Sequence, residues 1–165
     1  MSFKKILILS FVLLLSLSLF TACGRAEKFQ KGNISITLTE DFTEKPDEAA
    51  QFYYESPDVV VLGTKTSSQD LEKTGDEYAD SFADYIQNYM SANGISQNTT
   101  VNEEKDFFYI ETTERLNDTD YAYLISFYEN EGDYWVVRFA CYKEAYPSFE
   151  KNMKKWAQSV SFAGE

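Results

Sequence analysis

Two neighbouring segments, Tyr121 to Glu129 and Tyr134 to Tyr142, alternate with a period of two and are apolar on both faces that this period creates. In the second segment Trp135, Val137, Phe139 and Cys141 share one face, and Tyr134, Val136, Arg138 and Ala140 share the other. In the first, Tyr121, Tyr123, Ile125 and Phe127 oppose Ala122, Leu124 and Tyr128. A half-solvated strand would be polar on one of its faces. Strands apolar on both faces demand a sheet covered on both sides. Glu131-Gly132-Asp133 reads as the turn between them, so the pairing is predicted to be antiparallel.

The remaining elements follow from spacing. Ile34-Ser35-Ile36-Thr37-Leu38 alternates strictly and predicts a strand. Gln51 to Glu55 and Val59 to Thr64 predict a hairpin across Ser56-Pro57-Asp58, and the β-branched run in its second arm suggests burial on both faces. A helix is expected next. Thr74 and Glu77 match a capping box, and Tyr78, Phe82, Tyr85, Ile86 and Tyr89 recur on one face. Asp76, Asp80 and Asp84 fall elsewhere on it, and Asn93-Gly94 ends it. Phe107 to Thr113 opens a second set of three strands with the two double-faced segments. A final helix starts near Pro147. Its buried stripe is Phe149, Met153, Trp156, Ala157 and Val160, with Lys151, Lys154 and Lys155 outside. Ser161-Phe162 reads as a short extended end. The expected order is β-β-β-α-β-β-β-α.

This order and its local wording resemble the PsbP/Mog1-like family over roughly residues 34–162. The likeness rests on Ile34 to Leu38 followed by Glu40-Asp41-Phe42, on strands ending in Trp135-Val136-Val137-Arg138-Phe139, and on a Tyr-Pro-initiated helix carrying Phe149 and Trp156. Thr39 and Phe42 stand where the family usually has Pro and Trp. The resemblance implies an α+β fold, an α/β/α sandwich with a mostly antiparallel central sheet covered by helices. It also implies a small accessory or binding role, and many bacterial members are lipoproteins. It carries over no catalytic residue.

The N-terminus reads as a targeting segment. Lys4 and Lys5 precede an apolar run from Ile6 to Phe20, which is shorter than the roughly 20 residues a spanning helix needs. Leu19-Phe20-Thr21-Ala22-Cys23-Gly24 resembles a bacterial lipobox, with Phe20 where Leu, Val or Ile is more usual. That resemblance implies cleavage before Cys23 and a lipid on its sulfur. The expected organisation is a signal peptide over 1–22, a tether over 23–31 and one domain over 32–165, placed on the extracytoplasmic face of a bacterial membrane. Cleavage would remove two lysines and no acid, taking the net charge from −12 to −14. A body so acidic is repelled by anionic lipid head groups and is expected to stand off the bilayer on its tether.

Composition narrows the chemistry. The chain has no His, so it holds no Ser-His-Asp triad, Cys-His dyad or HExxH zinc site. With 27 acidic against 15 basic residues it lacks the basic footprint of a nucleic-acid binder. Three acidic groupings stand out: Glu103, Glu104 and Asp106; Asp118 and Asp120; Glu129, Glu131 and Asp133. Oxygen-rich loops of this kind can take Ca²⁺, but none has the EF-hand pattern, and solvated turns are the preferred interpretation. Cys141 has no His to activate it and reads as core. Tyr53, Tyr54, Tyr85, Tyr89, Tyr109, Tyr121, Tyr123 and Tyr128 lie in or beside regular elements, where most should pack and an exposed patch would mark an interface. No catalytic, metal or cofactor residue is assigned. The favoured function is a non-enzymatic binding or accessory lipoprotein whose partner is a protein or envelope component. The alternative is a carboxylate-based hydrolase or small-ligand carrier of the envelope.

Overall fold

A computed structural model describes residues 24–67 and 81–163. Its elements run β1 (Ala26–Lys31), β2 (Ile34–Thr39), β3 (Thr43–Glu44), β4 (Phe52–Glu55), β5 (Val59–Thr66), α1 (Phe82–Ala92), β6 (Asn102–Glu103), β7 (Phe108–Leu116), β8 (Thr119–Asn130), β9 (Asp133–Tyr142), α2 (Tyr146–Gln158) and β10 (Ser161–Phe162). Seven strands form the main sheet in the order β3-β4-β5-β9-β8-β7-β6, and every neighbouring pair is antiparallel. A smaller antiparallel sheet runs β1-β2-β10. Two-residue turns set the hairpin registers. Asn117 and Asp118 between β7 and β8, and Glu131 and Gly132 between β8 and β9, all take positive φ. That is the type I′ geometry whose twist matches paired strands.

The double-faced strands are the centre of the molecule, as their pattern demands. One face of the main sheet meets α2 and the small sheet. Val61, Leu124, Val137 and Phe139 there pack with Ile36 and Leu38 of β2 and with Met153, Trp156 and Ala157 of α2. The other face meets α1, where Ile110, Ile125, Phe127 and Val136 pack with Tyr85, Ile86 and Met90. The architecture is therefore an α+β sandwich with the antiparallel sheet between the two helices.

Buried polar atoms tie the layers together. The Tyr128 hydroxyl lies 2.8 Å from the Ala157 carbonyl, to which it donates, and 3.0 Å from Ser126 Oγ. This links the C-terminal part of β8 to the last turn of α2. At the other end of that turn, Ser159 Oγ accepts from Thr37 N at 2.9 Å, docking α2 on β2. The Phe52 ring lies directly over its cross-strand partner Gly63, so close that a Cβ at Gly63 would fall 2.2 Å from ring carbons.

Several local expectations change. Residues 23–31 read as a polar tether, yet Ala26–Lys31 form β1 and pair with β2 along its whole length. Nearly every β1 side chain is exposed, so the strand has no alternating apolar signal to announce it. The first described helix begins at Phe82 under a Ser81 cap, whose Oγ accepts from Asp84 N at 3.2 Å and donates to Asp84 Oδ2 at 2.6 Å. The expected cap at Thr74 and Glu77, and Asp76, Tyr78 and Asp80 with it, lie outside the described residues. On β5, Val59 and Val61 are buried while Val60 and Leu62 are only partly so, and burial is complete on one face alone. Lys154 is not a solvated helix exterior. It is partly buried, 2.7 Å from Glu111 Oε1 and 2.8 Å from Glu150 Oε1, and sits over the Tyr109 ring.

Candidate functional site

Helix α1 is eleven residues long and covers only part of its sheet face. The registers show which part. Val136 pairs with Phe127 and Arg138 with Ile125 across β8 and β9, and these rows lie under or beside α1. The next rows, Val60–Ala140–Tyr123 and Tyr142–Tyr121–Glu114, continue past its C-terminal end. Leu116 lies beyond them, two pairs further along β7. No described element covers these rows. All but Tyr142, which stands beside it, line a groove of about 640 Å³ together with Asn93, Asn117 and Thr119. Tyr142 is 57% exposed and Leu116 42%, the two large hydrophobic side chains most open to solvent among the described residues. Tyr142 stacks on Tyr121 with ring centroids 5.5 Å apart, extending the apolar surface over the sheet end.

Arg138 lies on the groove floor at the end nearest α1. It is partly buried, and its guanidinium carbon is 5.5 Å from the Tyr123 ring centroid. Burial and the Glu114 carboxylate push the Tyr123 phenol above its ordinary value, while Arg138 pulls it back. The groove therefore presents aliphatic and aromatic walls, a phenol held protonated, one cation inside and one exposed carboxylate at the rim. Such a surface can bind. It brings together no nucleophile with an activating base.

The other sequence candidates fall into structural roles or outside the described residues. Cys141 is buried on the α2 face of β9, and its thiol is pushed up by burial and by Asp58, the opposite of an activated nucleophile. Glu103, Glu104 and Asp106 flank the short β6–β7 turn. Asp118 and Asp120 flank the β7–β8 turn and pair with Arg115 and Lys143. Glu129, Glu131 and Asp133 flank the β8–β9 turn, where Asp133 pairs with Lys65. Among the described residues no three His, Cys, Asp or Glu side chains converge on a metal position. Of the eight tyrosines named from sequence, Tyr54, Tyr85, Tyr109, Tyr123 and Tyr128 are buried and Tyr53, Tyr89 and Tyr121 partly so. The aromatic most open to solvent among the described residues is Tyr142, which closes β9 and is not one of these eight. Its sequence signal was Arg138, a lone charge on an otherwise apolar strand face. Cys23 lies outside the described residues.

No family model and no curated protein sequence matches the chain. Solved structures do match. Cyanobacterial PsbP (CyanoP) from Synechocystis sp. PCC 6803 aligns with a TM-score of 0.57 at 10% identity, over 87% of this chain and 95% of its own. A protein from Bacteroides thetaiotaomicron aligns with a TM-score of 0.55 at 12% identity over 87% of this chain, which spans only 50% of that longer one. The Ran-binding protein Mog1p from Saccharomyces cerevisiae aligns with a TM-score of 0.50 at 8% identity, over 84% and 96%. Identities this low establish the fold alone, and the chain has the α+β sandwich architecture of the PsbP and Mog1 structures.

Proposed function

We propose that this protein is a lipid-anchored, extracytoplasmic binding or accessory module of a bacterial membrane, and that the groove beyond α1 is its partner surface. The observation that carries the binding role is the open apolar half-face with Tyr142 and Leu116 exposed on it. The sandwich is shared with a Ran-binding protein, which supports a non-enzymatic use of this architecture. The anchor rests on the lipobox-like Leu19 to Gly24 sequence, and no described helix is long and apolar enough to cross a membrane.

The pairing of β1 shortens the tether. Strand β1 begins at Ala26, and Glu40 N donates to Arg25 O at 2.8 Å. The three steps from Cys23 to Ala26 reach at most about 11 Å when extended. A lipid on Cys23 therefore holds the acidic domain against the bilayer. Two acyl chains give a stable anchor where one is marginal.

Cys23→Ala is expected to abolish lipid attachment and to leave the protein unprocessed or released from membranes. Fractionation with a mass measurement of the N-terminal peptide reads this out. A Cys23→Ala protein that is still cleaved and still membrane-bound contradicts the anchor. For the surface, a photo-crosslinking residue at Leu116 should capture a reproducible partner in intact cells. The same residue at exposed Lys151, on the far helix, should not. Equal capture at the two positions removes the groove as the partner surface.

A further inference from the structure

Arg138 is a cation that no carboxylate among the described residues pairs with. Among the described residues its guanidinium makes no ion pair and no hydrogen bond; it lies over the Tyr123 ring and acts electrostatically on the Tyr89 phenol. The other partly buried cation among the described residues is treated differently. Lys154 pairs with Glu111 and Glu150. The chain has 27 acids for 15 bases, so carboxylates to answer Arg138 were not scarce. Taking a guanidinium partly out of water without a counter-charge is costly, and a bound anion would offset that cost.

The surroundings specify the anion. Val60, Leu62, Leu116, Tyr121 and Ala140 offer hydrocarbon and aromatic surface along the groove, and its 640 Å³ is the size of a small-ligand site. The planar guanidinium matches a carboxylate through two parallel N–H···O bonds. Glu114 at the rim and the acidic body disfavour a second negative charge on the ligand. A single carboxylate on an aliphatic chain satisfies all three conditions.

We propose that the groove binds an aliphatic monocarboxylate, with its carboxylate on Arg138 and its chain running over Leu62 and Val60 toward Tyr121 and Leu116. This rests on the interpretation of the groove as a binding surface and names the chemistry it selects.

The test uses membranes carrying the full chain and a diazirine analogue of decanoic acid. Labelling should map to the peptides bearing Leu116 to Tyr123 or Arg138 to Tyr142. Decanoate should compete about tenfold or more better than decanol, whose head is neutral. Arg138→Gln should reduce labelling by about tenfold or more, and Arg138→Lys by less, because it keeps the charge and loses the fork. Glu114→Gln should raise labelling. Equal competition by decanoate and decanol in the unmodified chain overturns the proposal without any variant, and labelling confined to other peptides overturns it too. Partner capture at Leu116 is a separate measurement. If capture persists while carboxylate selectivity fails, the binding surface stands and its ligand chemistry falls.

Discussion

Gly63→Ala is expected to destabilise the domain by roughly 2–3 kcal/mol, the upper part of the range for overpacking a closed core. A methyl group on an exposed strand glycine would stabilise by up to about 1 kcal/mol through reduced backbone freedom. Here the clash outweighs that gain. The added Cβ would lie 2.2 Å from Phe52 ring carbons. The ring has no room to retreat, since Phe52 is 3% exposed and stacks on Tyr54 at 5.3 Å. Urea unfolding of the purified chain should show a lower midpoint with an unchanged slope. Phe52→Leu in the Gly63→Ala background should recover part of the loss, giving a coupling of about 1 kcal/mol or more. Additive effects, or a Gly63→Ala protein as stable as the parent, would show that the ring does not occupy that space.

Alkali should unfold this protein well before acid-base chemistry near neutrality disturbs it. The chain has no His to titrate in the neutral range. Its tyrosines are the sensitive groups. Burial raises the phenols of Tyr54, Tyr85, Tyr89 and Tyr128 above their ordinary value of 10.0, most strongly at Tyr128, whose bond to Ser126 offsets only part of the effect. Tyr146 is raised by burial and by the neighbouring Glu111 carboxylate, and its hydroxyl, though close to Glu111, has no hydrogen bond of acceptable geometry. Burial alone would lower the Lys154 ammonium, but Glu111 and Glu150 hold it above its usual range. The sign is the same for all of them. The unfolded chain loses these protons first, so between the unfolded and folded values the folded state holds more of them. Stability is then fully present below about pH 10 and falls as pH rises. Each phenol kept protonated contributes a slope of roughly 1.4 kcal/mol per pH unit. Urea midpoints between about pH 8 and 11.5 should be flat and then drop steeply. Tyr128→Phe should cost about 1 kcal/mol at pH 8 by removing the buried hydroxyl's bonds to Ala157 O and Ser126 Oγ, although Ala157 O still accepts from Val160 N, and should make the alkaline drop shallower by about one proton. An unchanged slope in that variant would place the sensitive phenols elsewhere.

How much of the molecule could be read in the chain varies with how local its cause is. Strands β8 and β9 are legible because burial on both faces writes an apolar residue at nearly every position, and the turn of Glu131 and Gly132 sets their register. Helix α2 is legible because Met153, Trp156 and Ala157 recur at helical spacing behind Pro147. Strand β1 is not. It has backbone partners on β2 but little to bury, and hydrogen bonding between main chains leaves no mark on side-chain pattern. Lys154 looked like solvated helix surface because its partner Glu111 is 43 positions away on β7.

The sequence by itself determined that a sheet apolar on both sides must be covered on both sides, that its strands pair by tight turns, and that chemistry relying on histidine is absent. Those are properties of residue type and of spacing over a few positions. Only the tertiary structure decided where the cover stops. The same alternation runs through Val136, Arg138, Ala140 and Tyr142, yet Val136 lies beneath α1 while Tyr142 stands in solvent. That boundary is set by where an eleven-residue helix from another part of the chain lies on the strand register. It is a non-local packing outcome, and it is what leaves half of an apolar face as a groove with Arg138 in it, unpaired among the described residues.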